Sequence, residues 1–187
     1  MDDTTKLYSS GDSSELTADL PQARDRHETI MINSTHIFLV GGNPEGSDNW
    51  VHIYDLEHQT YTPVGEKIDH HFHRNKAMEC GAVTDGQEGS GYVVCFAGAR
   101  PNVAQIFDMD TLEWSTGPLL PRGLMMDVGS VVPFEDSFVI FGGSGFGREI
   151  YQWDVESKDF VLRPQTLSKG FHGARTVIPI PSSAVLC

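Results

Sequence analysis

The sequence predicts an all-β chain built from repeated four-stranded units, and three observations carry that expectation. First, three stretches share one plan: an apolar run ending in a small-residue doublet, a variable loop, an aromatic followed by aspartate, then a second aromatic. Second, the first and second aromatics stand seven residues apart in every unit: Tyr54 and Tyr61, Phe107 and Trp114, Trp153 and Phe160. Third, helical spacing of apolar residues is nowhere sustained, whereas short alternating or apolar runs bounded by turn residues recur throughout.

Taken in order, the units are "HIFLVGGNPEGSDNWVHIYDLEHQTYTPV" from His36, "YVVCFAGARPNVAQIFDMDTLEWSTG" from Tyr92 and "SFVIFGGSGFGREIYQWD" from Ser137. The doublets are Gly41-Gly42, Ala97-Gly98 and Gly142-Gly143. A first strand precedes each: "ETIMIN", "CGAVTDG" and "VGSVVPF". The second strand ends at the doublet, the third at the aromatic-Asp pair, and the fourth starts at the second aromatic. The glycines permit close approach of a neighbouring strand. The aromatics fill the space between sheets. Each aspartate opens a turn ("DLEHQT", "DMDTLE", "DVESKD") that its carboxylate can cap. The repeat period, 53 and then 46 residues between first aromatics, with four strands per unit, is that of a β-propeller blade.

The ends extend the pattern. The tail "GFHGARTVIPIPSSAVLC" matches the first two strands of a fourth unit and stops short of its doublet. At the start, "KLYSSGDSSELTADLPQAR" aligns loosely with "IFDMDTLEWSTGPLLPRG", Pro21 falling on Pro121. The expected organisation is a polar segment over 1–19, read as the end of a preceding unit, blades over about 20–68, 69–121 and 122–168, and a partial blade over 169–187. Strands from the two termini either share one blade in a four-bladed ring or belong to a larger propeller of which this is a piece.

Composition excludes some functions. With 13 basic against 26 acidic residues, a formal net charge of −13, the chain offers no basic footprint for nucleic acid or an anionic membrane. The acidity serves solubility, or partners carrying positive charge. No signal peptide opens the chain and no apolar run is long enough to span a bilayer, so a cytoplasmic protein is expected. The cysteines, Cys80, Cys95 and Cys187, are odd in number and lack C-x-x-C spacing, which predicts reduced, mostly buried thiols. Cys80 and Cys95 nevertheless lie in stretches compatible with adjacent strands.

No catalytic, cofactor or metal residue is assigned. The cluster Asp69, His70, His71 and His73 has metal-ligand chemistry, but reads first as a polar loop between blades. His27 and His172 read as hydrogen-bonded histidines at strand ends. "GGSGFGR" lacks both the spacing and the following helix of a nucleotide loop. No nucleophile elbow or Ser/His/Asp set occurs.

Antiparallel strands alternate in direction, so the loop between strands two and three emerges on the same side as the link to the next unit. That side collects "NPEGSDNW", "ARPN", "SGFGR", "DHHFHRNK", "LPRGLMMD" and "LSKGFHG". Rigid blades would position these varied loops. The candidate partner-binding anchors are Trp50, Phe72, Arg74, Arg100, Arg122, Phe146, Arg148 and Phe171, because aromatic and Arg side chains dominate interface hot spots. The plainer alternative is that Trp50 and Phe171 pack back on their own blades.

The pattern of apolar run, Gly-Gly, loop, Tyr-Asp and a second aromatic resembles the kelch repeat, over about Leu20 to Phe160. Ala97 replaces the first glycine of one doublet, and Tyr61 and Phe160 stand where kelch repeats usually carry Trp. The resemblance implies a kelch-type β-propeller with about three full blades and partial blades at both ends. Kelch propellers usually have more than four blades, which favours the piece or incomplete ring. The resemblance further implies a protein-interaction module, not an enzyme, with an unidentified protein partner and no cofactor. In larger kelch proteins such modules accompany BTB domains that recruit substrates to cullin ubiquitin ligases; no BTB or BACK segment is recognised in these residues. Kelch-like propellers also include galactose oxidase, whose copper ligands find no matching motif here, and sialic-acid epimerases. A carbohydrate-active enzyme is therefore the alternative, with polar channel residues as its requirement. Arg24, Arg74, Arg122 and Arg175 lie near the starts of first strands and read mainly as surface salt-bridge formers.

Overall fold

Each repeated unit folds into a four-stranded antiparallel sheet. The computed structural model describes residues 6–8, 13–15, 27–41, 51–64, 78–84, 90–97, 103–121, 128–143 and 148–169. A short pair, β1 (Lys6–Tyr8) and β2 (Ser13–Glu15), precedes them. The first sheet runs β3 (His27–Met31), β4 (His36–Gly41), β5 (Val51–Asp55), β6 (Thr60–Pro63). The second runs β7 (Met78–Thr84), β8 (Gly91–Ala97), β9 (Val103–Asp108), β10 (Trp114–Leu119). The third runs β11 (Val128–Phe134), β12 (Ser137–Gly143), β13 (Glu149–Asp154), β14 (Asp159–Thr166). The described residues contain no helix.

The recurring interval of seven residues is a register. Tyr54 pairs with Tyr61, Phe107 with Trp114 and Trp153 with Phe160, each directly across the hairpin joining third and fourth strands. Directly opposed aromatics stabilise a sheet through their side-chain contact; the Tyr54–Tyr61 rings are 4.5 Å apart and Phe107–Trp114 5.1 Å. At the N-terminus Leu7 pairs with Ser14, the same register 100 residues before the Phe107–Trp114 pair.

The turn aspartates cap as their position suggests. Asp55 Oδ1 accepts from the backbone N–H of Glu57 and His58, Asp108 Oδ1 from Asp110 and Thr111, and Asp154 Oδ1 from Ser157. Four residues after each aspartate stands a non-glycine residue with positive φ: Gln59 at 53°, Leu112 at 59° and Lys158 at 50°. This left-handed residue lets the hairpin close with the twist its strands require. Leu112 is exposed and has no buried packing to lose. Leu112→Gly is therefore expected to raise stability by about 0.5 kcal/mol, the relief of the left-handed penalty exceeding the added unfolded-state entropy. Urea unfolding of the two proteins measures it.

Two apolar layers hold the three sheets together. Side chains alternate across β8: Val93 and Cys95 join Phe38, Val40 and Phe107 between the first and second sheets, while Val94 and Phe96 join Phe138, Ile140, Trp153 and Phe160 between the second and third. The first strands β3, β7 and β11 are neighbours, β7 lying between the other two. This is a blade-like stack with the first strands innermost. At Gly81 of β7 the Phe138 ring of the third sheet lies where a Cβ would stand, so the close approach requires glycine. Trp153 Nε1–H donates to the Tyr92 hydroxyl at 2.9 Å across the same interface.

One expectation is corrected. Cys80 and Cys95 are not reduced thiols but a disulfide. They stand directly opposite each other on β7 and β8, with Cα atoms 4.1 Å apart. An odd total of cysteines excludes a fully paired framework, not one bridge between register partners.

Candidate functional site

Two regions present chemistry, and the fold positions them differently. The first is the edge of the sheets where second strands end and third strands begin. His27 opposes Gly41, Val40 opposes Val51 and His52 opposes Pro63, so first strands start and fourth strands finish at this same edge. Of the eight candidate anchors, Trp50, Phe72, Arg74, Arg100, Arg122, Phe146 and Phe171 lie outside the described residues. Arg148 lies within them, exposed at the start of β13. Its Nε–H donates to the Leu167 carbonyl at 2.6 Å, and the Leu167 N–H donates back to the Arg148 carbonyl at 2.7 Å. Arg148 thus braces the end of the outer strand while its head stays at the surface.

The second region is a cleft of about 320 Å³ along the innermost strands. Glu28, Ile30 and Met31 of β3, Cys80, Ala82 and Thr84 of β7, and Val131 and Pro133 of β11 line it, with Glu135 and Asp136 of the following turn and Ser137 at the start of β12. Its polar groups converge from three sheets onto an apolar wall. That is the general make-up of a small-molecule site, and its volume falls at the small end of such sites.

Two carboxyl groups on neighbouring first strands are strongly perturbed. Glu28 opposes Val40 and Glu79 opposes Phe96, each two residues before the second glycine of its doublet, so they occupy equivalent places on neighbouring inner strands. Burial pushes Glu28 up to about 7. Burial, with the nearby Glu28 charge adding to it, pushes Glu79 up to about 8. The unequal hairpins between first and second strands hide this equivalence in the sequence; only the register displays it. The turn aspartates move the other way. Hydrogen bonds from His58 lower Asp55 to about 2, and those from Thr111 lower Asp108.

A pH dependence follows. A carboxyl whose folded pKa lies above its unfolded value favours folding when protonated, and that contribution is lost as it ionises. Stability is expected to be full below pH 4.5, to fall as pH rises toward about 7 and 8, and to level off above them. With partial solvent screening allowed for, the combined loss is on the order of 2 kcal/mol. Urea midpoints across that range test it, and Glu79→Gln should flatten the profile.

The histidine cluster at 70–73 lies outside the described residues, and among those described no group of three His, Cys, Asp or Glu is placed to hold a metal. No described helix is long and apolar enough to cross a membrane.

No family model matches the chain, and no curated protein matches it. Among solved structures, the chain is similar to that of YjhT, with a TM-score of 0.59 and 13% identity, over 84% of this chain and 56% of that one. At this identity the likeness is one of fold. The chain spans little more than half the length of that neighbour.

Proposed function

We propose that the chain is a kelch-type propeller segment, about three full blades with partial blades at both ends, acting as a protein-interaction module. The observation that supports the reading most is the common edge of the sheets. The segments 42–50, 98–102 and 144–147 all leave from it, as do the links 65–77 and 122–127. A stack fixed by two apolar layers gives such segments a rigid base, the usual arrangement for binding loops. In the sequence, Trp50, Phe72, Arg74, Arg100, Arg122 and Phe146 fall within these segments and links, Arg148 directly precedes β13, and Phe171 follows β14. The net charge of −13 favours a partner with a positively charged surface.

The test is partner capture with the intact chain, compared with Arg100→Ala/Arg148→Ala. The reading expects one saturable protein partner that the double variant loses while its thermal unfolding stays within a few degrees. Capture unchanged by the double variant contradicts it.

A second reading has its own support. The cleft gathers Glu28, Thr29, Thr84, Glu135, Asp136 and Ser137, the convergent polar groups that a carbohydrate-active propeller requires. Sugar binding or turnover that is lost in Glu28→Gln and kept in Arg100→Ala/Arg148→Ala would replace the interaction reading with this one.

A further inference from the structure

We propose that the Cys80–Cys95 disulfide is a reversible redox staple that sets how firmly the first and second sheets pack. Its position carries the inference. The two cysteines are buried in the layer between these sheets, with Phe38, Val40, Val93 and Phe107 around them. The bridge does not hold its hairpin alone, because β7 and β8 pair through seven consecutive positions from Met78↔Ala97 to Thr84↔Gly91. Reduction therefore leaves the strands paired and acts on the layer instead. Bonded sulfurs stand ~2 Å apart, whereas two thiols need a non-bonded separation of ~3.5–4 Å. Cys95 is completely buried in this close-packed layer, so on its side the added separation is met by overpacking, which loosens the layer.

The reductant has a route. Cys80 lines the axial cleft of about 320 Å³, whereas Cys95 is fully buried behind it. A small dithiol entering the cleft attacks the Cys80 sulfur as its thiolate. The Cys80–Cys95 bond breaks, a mixed disulfide forms at Cys80, and Cys95 leaves and takes up a proton. The second thiol of the reductant then attacks its own sulfur in the mixed disulfide and releases Cys80 as a thiol. The protein gains two electrons and two protons; the dithiol loses them and closes to a cyclic disulfide. A disulfide oxidant reverses the sequence.

The experiment uses the whole chain under native conditions with dithiothreitol as the probe. Free thiols are counted by alkylation and mass spectrometry before and after, and hydrogen exchange is followed in β3 and β4. The proposal expects Cys80 and Cys95 to be unreactive at the start and to become alkylatable without denaturant. Exchange in β3 and β4 should rise on the order of tenfold, the melting temperature should fall, and removal of dithiothreitol followed by oxidised glutathione should restore both. Free Cys80 and Cys95 at the start, reduction only in denaturant, or reduction with unchanged exchange would each overturn it. The variant Cys80→Ala/Cys95→Ala should lose all response to dithiothreitol; the wild-type readings decide the matter even if that variant fails to fold.

Discussion

Replacing Trp153 with alanine is expected to cost about 4 kcal/mol of stability and to lower the melting temperature by more than any other single truncation in the third sheet. Trp153 is completely buried. Its ring lies 5.0 Å from Phe160, its register partner, 6.0 Å from Phe138 and 6.3 Å from Tyr92. Its Nε1–H donates to the Tyr92 hydroxyl, and its carbonyl accepts from Ser137 Oγ at 2.7 Å. Truncation leaves a cavity lined by three aromatic rings anchored in two different sheets, which cannot collapse together without moving a strand. Trp153→Phe keeps most of the volume and removes the donor, so it separates packing from the hydrogen bond and should cost less than half as much. Denaturant unfolding of the three proteins gives the comparison.

Gly81→Ala is expected to cost about 3 kcal/mol, although it adds one methyl group. That methyl would occupy the place of the Phe138 ring, and Phe138 cannot retreat because Phe96 and Trp153 stack beside it. The second and third sheets must then move apart along β7 and β11. A second substitution distinguishes this mechanism from a general intolerance of β7. In Gly81→Ala/Phe138→Leu the smaller side chain vacates the contested space, so the double variant should be more stable than the sum of the two single changes predicts. Plain additivity would show that the close approach does not limit the packing.

Much of this architecture was legible in the sequence because the repeat encodes pairing. The constant interval between Tyr54 and Tyr61, Phe107 and Trp114, and Trp153 and Phe160 is the distance between register partners in a hairpin of fixed length. The aspartates were legible for the same reason, since one turn geometry recurs three times. The left-handed residues after them were not. Gln59, Leu112 and Lys158 share no side-chain type, and their conformation is imposed by the hairpin. Nor was the disulfide legible. Whether Cys80 and Cys95 oppose each other depends on the length of the hairpin between first and second strands, which differs from unit to unit. Glu28 and Glu79 were missed for that same reason. Among the eight loop anchors, Arg148 alone lies within the described residues, where its bond to the Leu167 carbonyl adds a bracing role that loop composition does not reveal.

The loop-bearing edge and the axial cleft both require the repeated sheets to stack face to face, and the contact between Tyr92 and Trp153 measures that stacking directly. A double-mutant cycle of Tyr92→Phe and Trp153→Phe isolates the hydrogen bond that crosses from the second sheet to the third. Stacked sheets predict a coupling of about 1 kcal/mol. A coupling indistinguishable from zero, in variants that both remain folded, would mean that the two sheets do not meet there, and would contradict the blade-like stack.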